Sequence, residues 1–179
     1  MIEVNVDTYA TVAEADEYAG KYYISGDEKR TAWEALSEGD KEAVLRNAAE
    51  AIDSIVYPGR KKSIDQPMEF PRCYKNGYYF PLSWYETYTV ERGSWHCMIE
   101  IPEKIKQAQI EEAMEMVHRT ADSDNFDAYN SSLQAFEITG LKESYNAPAD
   151  GAHGVKAALR SSRAQRWMSK YAGGGFHVN

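Results

Sequence analysis

The sequence predicts a mainly α fold: a helical bundle with a Pro-rich crossover, a small aromatic β-hairpin insertion, and an extended C-terminal arm of short strand, basic helix and tail. Three observations predict it. Capping signals followed by apolar residues at helical spacing recur in the first third of the chain and again after Pro102. The stretch Tyr57–Arg72, YPGRKKSIDQPMEFPR, holds three of the six prolines, and Pro67 and Pro71 keep its backbone extended. Aromatic residues then crowd the segment from Cys73 to Trp95 around an Asn-Gly turn signal.

The first helix lies within Thr8–Tyr23. Thr11 with Glu14 makes a capping box, and Val12, Ala15, Ala19 and Tyr22 or Tyr23 fall on one face, with Tyr9 placed to pack back as a hydrophobic staple. Ser25-Gly26-Asp27 ends it, and Asp27 caps a short helix through Leu36 that has Trp33 as its buried anchor. Ser37 with Asp40 caps the next, which runs to Ile55 with Ala43, Val44, Ala48, Ala51, Ile52 and Ile55 inward. The crossover follows and is read as ordered rather than as a surface loop. Gly59 can take a positive φ there, and Gln66 and Arg72 can tie down backbone groups on neighbouring helices.

The insertion at 73–98 centres on Asn76-Gly77, flanked by Tyr74 and by Tyr78, Tyr79 and Phe80, with Trp84, Tyr85, Tyr88 and Trp95 beyond. It has too few aliphatic residues for a core of its own, so it is a flap over the bundle or a contact surface; clustered Tyr and Trp favour the contact surface. Pro102 opens a helix that reaches Thr120, with Ile105, Ala108 or Gln109, Glu112 and Met116 in one row and Ile110, Ala113, Met114 and Val117 in the other. Residues 135–145 alternate around Gly140 as a strand or small hairpin. Asn146–Gly154 reads as a linker and Val155–Tyr171 as a last helix, with Val155, Leu159 and Trp167 on one face. Three glycines then precede Phe176-His177-Val178-Asn179. The organisation expected is a connector domain over 1–145, carrying the insertion, and a C-terminal linker, basic helix and docking tail over 146–179.

The formal charge of -8 is unevenly spread: residues 151–179 carry five basic groups and no acid, whereas residues 1–150 carry 15 basic and 28 acidic groups. An acidic body opposes wrapping nucleic acid, whose affinity rests on Lys and Arg at phosphates. A basic end suits docking on an acidic partner, or is simply a solvated helix face. No apolar run approaches the ~20 residues of a membrane helix, and Met1–Val4 lacks the start of an export signal. Cys73 and Cys97, without a CxxC, read as free thiols of a reducing compartment, pairing only if the segment between them folds back.

Signatures of catalysis do not emerge. GxGxxG, P-loop, HExxH and GxSxG patterns are missing from the sequence, and its four histidines are scattered, so neither catalytic residues nor a metal or cofactor is expected. His96-Cys97 cannot act as base and nucleophile while adjacent on an extended segment, where side chains point opposite ways. Glu111, Glu112 and Glu115 are read as solvating an exposed helix side.

In order, TYATVAEADEYA at Thr8–Ala19, TAWEALSEGDKEAVLRNAAEAID at Thr31–Asp53, the crossover, and IPEKIKQAQIEEAM at Ile101–Met114 resemble the head–tail connector (adaptor, or head-completion) proteins of tailed bacteriophages. Close relatives carry the label DnaT-like single-stranded-DNA-binding protein. The motif positions are Tyr9, Thr11, Trp33, Ala49, Ile52, Asp53, Gly59, Lys61, Gln66, Met68, Phe70, Pro71, Arg72, Ile101, Pro102, Ile105, Lys106 and Ala108. Met68 stands where the pattern has Leu, and the Tyr/Trp-rich insertion is longer than in the relatives.

The resemblance implies a structural protein of the virion neck, made in the host cytoplasm and not an enzyme. It implies a dodecameric homo-oligomeric ring that joins the portal protein to the next neck or tail-completion protein, with genomic double-stranded DNA passing through unbound and no membrane partner. The C-terminal end is implied to reach the portal through Arg160, Arg163, Arg166, Trp167, Phe176, His177, Val178 and Asn179. Tyr74, Tyr78, Tyr79, Phe80, Trp84 and Tyr85 are the expected contacts to a sister subunit or neck protein. A single-stranded-DNA binder, stacking bases on those aromatics beside Lys75, Arg92 and Arg60-Lys61-Lys62, is the alternative.

Overall fold

Local capping chemistry starts the helices of the bundle. In the computed structural model, which describes residues 2–75, 85–90, 93–119, 135–138, 141–144 and 155–172, Thr11 caps α1 (Val12–Tyr22) in a complete capping box with Glu14. Asp27 caps α2 (Glu28–Glu34) and Ser37 caps α3 (Glu38–Asp53). Pro102 stands immediately before α4 (Glu103–Arg119). α4 packs against α1, α2, α3 and the last helix, which makes it the axis of the bundle.

Side chains fill two adjoining cores along that axis. One gathers Trp33, Leu45, Tyr18, Ile110 and Met114. The other gathers Tyr9, Ile52, Phe70, Met98, Ile105 and Met168. In α3 it is Leu45, Ala48, Ala49 and Ile52 that are buried, so the inward stripe differs from the expected one; Ala43 is exposed. Tyr9 is no staple on α1 either. It is fully buried against Phe70 and donates its hydroxyl to Asp53.

The crossover carries β1 (Arg60–Lys61), which begins a four-stranded antiparallel sheet with β2 (Arg72–Lys75), β3 (Tyr85–Val90) and β4 (Gly93–Met98), in the order β1-β2-β4-β3. The sheet corrects one expectation. Cys73 and Cys97 face each other in the β2–β4 register and are disulfide-bonded, not free thiols. The fold-back that pairing requires is supplied by the β3–β4 hairpin, which returns the chain beside β2. The expected turn at Asn76-Gly77, with Tyr78, Tyr79, Phe80 and Trp84, lies outside the described residues.

β5 (Ala135–Ile138) and β6 (Leu141–Ser144) form the small hairpin the alternation suggested. The expected last helix is two: α5 (Val155–Ala158) and α6 (Ser162–Met168), broken where Ser161 caps α6 by accepting from the Ala164 N–H. Val155, Leu159, Ala164, Met168 and Tyr171 are buried in the core shared with α4. The fold is therefore mainly helical with a small antiparallel sheet.

Candidate functional site

Polar groups buried on α4 organise the molecule. Gln107, Gln109, Glu111, Glu112 and Glu115 are all buried, which overturns the reading of Glu111, Glu112 and Glu115 as a solvated strip. Each has polar partners, as a buried polar group requires: Gln107 finds them on α4 itself, in Glu103 and Lys104, and the other four on other elements. The Gln109 carboxamide oxygen accepts from the Tyr9 and Ala10 N–H groups at 2.9 Å, while its amide nitrogen donates to Thr8 Oγ1 and the Leu45 carbonyl at 2.7 Å. One side chain thus ties the N-terminal segment and α3 to α4.

The next acids fasten the C-terminal segment. Both Glu112 carboxylate oxygens accept from the Arg160 N–H at 2.9 Å, and Oε2 accepts also from the Ser161 N–H at 2.8 Å. Burial pushes the Glu112 carboxyl above the usual range, and the two backbone donors pull it part of the way back. Glu111 accepts from the Tyr18 hydroxyl at 2.6 Å, the Tyr23 hydroxyl at 2.7 Å and the Arg163 guanidinium at 2.5 Å. Burial and that carboxylate together hold both phenols above their ordinary range. Glu115 pairs with Lys29 of α2.

The crossover residues converge as a second cluster. Phe70 packs edge-on against Tyr9, Tyr57 and Tyr171 at 6.1, 4.8 and 5.6 Å between ring centres. The Phe70–Pro71 peptide is cis. Gly59 takes a φ of +81°, and a Cβ there would collide with the Cys73 carbonyl. Gln66 Nε2 donates to the Met68 and Pro71 carbonyls at 2.7 and 3.1 Å, and Arg72 donates to the carbonyls of Pro58 at 3.1 Å and Tyr57 at 3.2 Å while pairing with Glu69. These two side chains brace the crossover's own backbone rather than neighbouring helices, because the chain turns back on itself within their reach. Asp53 accepts from the Tyr9 hydroxyl and the Glu69 N–H. Burial raises its carboxyl to about 6 against the pull of those bonds.

The residues expected to reach a portal part company. Arg163 is engaged with Glu111, and Trp167 is half-buried beneath the Lys104 ammonium, 4.6 Å from the ring centre. Arg160 is half-buried, and Arg166 and Lys170 are exposed. Phe176, His177, Val178 and Asn179 lie outside the described residues. Of the expected interface aromatics, Tyr74 is buried in the core and so is taken up within the chain. Tyr85 begins β3, at the sheet edge. Trp33 is buried as expected and donates its indole N–H to Asp16 at 2.7 Å.

Cations of the body are largely answered by acids of the same chain: Lys41 by Asp16, Arg46 by Asp7, Lys61 by Glu69 and Lys106 by Glu14. A cleft of about 550 Å³ beside Glu111 is lined by Lys29, Arg163, Glu28 and His118, charges that are likewise paired, with His118 Nε2 3.1 Å from Glu28. Arg60 stacks over Trp95 at 4.3 Å on the sheet. Among the described residues no three His, Cys, Asp or Glu side chains group as a metal site, and no helix is long and apolar enough to cross a membrane.

Sequence reading set Gln109 or Ala108, with Glu112, along one row of α4 but did not foresee the buried partners of Gln109, Glu111 and Glu112. On a helix as charged as α4 their polarity carried no signal of burial, because it reads equally well as solvation. Neither the curated proteins nor the solved structures include a match to this chain. A family model, described as "Putative DnaT-like ssDNA binding protein", matches residues 1–175, and the chain belongs to that family.

Proposed function

We propose that the protein is a structural adaptor of a tailed-phage neck, one subunit of a ring between the portal and the next neck or tail protein, through which DNA passes. The observation that carries this reading is how the chain disposes of its charge. Among the described residues most body cations lie against acids of the same chain, and a body with 15 basic and 28 acidic groups keeps a net negative charge. Such a surface repels phosphates and lets a duplex slide, where a basic lumen would hold it. The bundle's polar interior is taken up by hydrogen bonds and ion pairs between its own elements, which fix its shape. Arg166, Lys170 and residues 173–179 are the portion of the C-terminal end offered to an acidic portal surface.

The test mixes the purified protein with portal rings of the same phage and images the product. A collar of subunits on one face of the portal is expected, lost when residues 173–179 are removed. Free subunits with intact portals would reject the adaptor role.

A second reading, single-stranded-DNA binding, is favoured by the family description and by the stacked Arg60–Trp95 pair, since aromatic rings beside cations hold unpaired bases. A gel shift with single-stranded DNA at low salt separates the two. Binding that weakens steeply with salt and with Trp95→Ala supports this second reading, and no shift supports the adaptor.

A further inference from the structure

A groove of about 610 Å³ runs between the N-terminal turn, the crossover and the start of α4. Val4, Phe70, Pro71, Ile99 and Ile101 make its apolar wall. Ile99 is 49% exposed, and Ile64, which follows the groove-lining Ser63, is 96% exposed. Large aliphatic side chains left in water beside a concave apolar wall mark a surface that is covered by something.

The path of the chain indicates what covers it. The Tyr171 ring packs edge-on against Phe70, and Ala172 lies partly buried against the same cluster. Phe70 is therefore shared between the end of the C-terminal segment and the groove wall. Seven residues follow, GGGFHVN, and seven extended residues span about 23 Å. The glycines accept any path out of the helix. Phe176 and Val178 are two apart, so in extended chain both face the same side and His177 faces the other. The groove offers an apolar wall for the pair and, at its rim, Glu100 and Glu103 for the imidazole.

We propose that residues 173–179 dock in this groove of their own chain, with Phe176 and Val178 against the wall formed by Phe70, Ile99 and Ile101. A short tether gives the segment an effective concentration in the millimolar range, so an intrinsic affinity of about 100 μM already keeps the groove about nine-tenths filled. The unassembled subunit then carries its tail parked on itself, and any partner that takes the tail also uncovers the groove. The proposal rests on the groove and the exit point of the chain and holds whether or not the protein belongs to a neck.

The test is fluorescence anisotropy with a labelled peptide of residues 173–179, titrated with the full chain and with a chain ending at Ala172. The shortened chain should bind the peptide, and the full chain should bind it about tenfold more weakly because its own tail competes. Phe176→Ser in the full chain should restore the stronger binding, which covers the case in which the shortened chain folds poorly. Ile99→Glu in the shortened chain should weaken the peptide at least tenfold with its circular dichroism unchanged. Equal affinity for the full and shortened chains, no binding to either the shortened or the Phe176→Ser chain, or binding that survives Ile99→Glu would each overturn the proposal. A tail-dependent dimer in sedimentation would overturn it too, by making the occupant a second copy.

Discussion

Replacing Gln109 by Leu removes one carboxamide and leaves two buried backbone N–H groups without a partner. The side chain is fully buried and makes four hydrogen bonds, of which those from the Tyr9 and Ala10 N–H groups are lost outright, whereas the Leu45 carbonyl, inside α3, keeps its helical donor. Thr8 is less affected, because its hydroxyl also donates to the Ala10 carbonyl at 2.8 Å. Each orphaned buried N–H costs about 1–3 kcal/mol, and the two share whatever relaxation the site allows, so a loss of about 3–5 kcal/mol is expected. That is a large part of the 5–15 kcal/mol typical of a folded domain. Urea unfolding followed by tryptophan fluorescence reads it directly. With a slope of about 2 kcal/mol per molar the midpoint should fall by roughly 2 M at unchanged slope. Gln109→Glu is the informative partner variant. It keeps the acceptor for the two N–H groups but sets a carboxylate oxygen against the Leu45 carbonyl, so its deficit should shrink in acid, where the protonated oxygen can donate. A midpoint shift below about 0.5 M for Gln109→Leu would show that α4 does not anchor the N-terminal segment and α3 in this way.

Asp53 makes a prediction about pH. Its folded carboxyl is raised to about 6 from 3.8, so the group favours the fold below its unfolded value and loses that contribution as pH climbs through 6. The stability of Asp53→Asn relative to wild type should therefore rise by about 2–3 kcal/mol between pH 4 and pH 7, and a flat difference would refute the shift. Gly59→Ala should cost about 2–4 kcal/mol, since it combines a disfavoured positive φ with a collision into the Cys73 carbonyl, and a neutral result in thermal unfolding would contradict that geometry. Glu112→Gln should destabilise by about 1–2 kcal/mol, because a single amide oxygen replaces the two carboxylate oxygens facing Arg160 and Ser161. Hydrogen exchange should show protection lost first at those two amides. Arg163→Ala should lower the melting temperature where Arg166→Ala leaves it unchanged, because only Arg163 has a buried carboxylate to abandon; equal effects would place both outside the body.

What could be read beforehand were events within four residues of one another. The caps at Thr11, Asp27 and Ser37 are such events, and each helix starts where its cap said it would. The inward face of α3 was harder, because a helix with so many alanines gives a weak stripe and Leu45 rather than Val44 turned out to be central. The acids of α4 were misread for a deeper reason. Charge on a helix signals solvent only when nothing elsewhere in the chain is built to answer it. Here the answering groups lie far off in sequence, Tyr18 93 residues before Glu111 and Arg160 48 residues after Glu112. The disulfide was illegible on the same ground, since its geometry depends on a sheet register that three separate strands create.

Those buried acids also change what the basic C-terminal end means. From composition alone, five cations without an acid look like an arm held out for a partner. In the fold, Glu111 binds Arg163 and Glu112 binds the backbone at the start of α6, so the segment's attachment to the body uses part of the charge that seemed to be on offer. The two Glu residues work differently: one neutralises a side chain, while the other fills the place of missing carbonyls at a helix start. In the adaptor reading we propose, a partner would meet a ledge bearing the exposed Arg166 and Lys170, followed by seven residues of which three are glycine. In that reading the basic ledge would set the orientation of docking, and Phe176 and Val178 its strength. Separating the two tasks would let such a subunit approach an acidic surface in one pose before its tail commits.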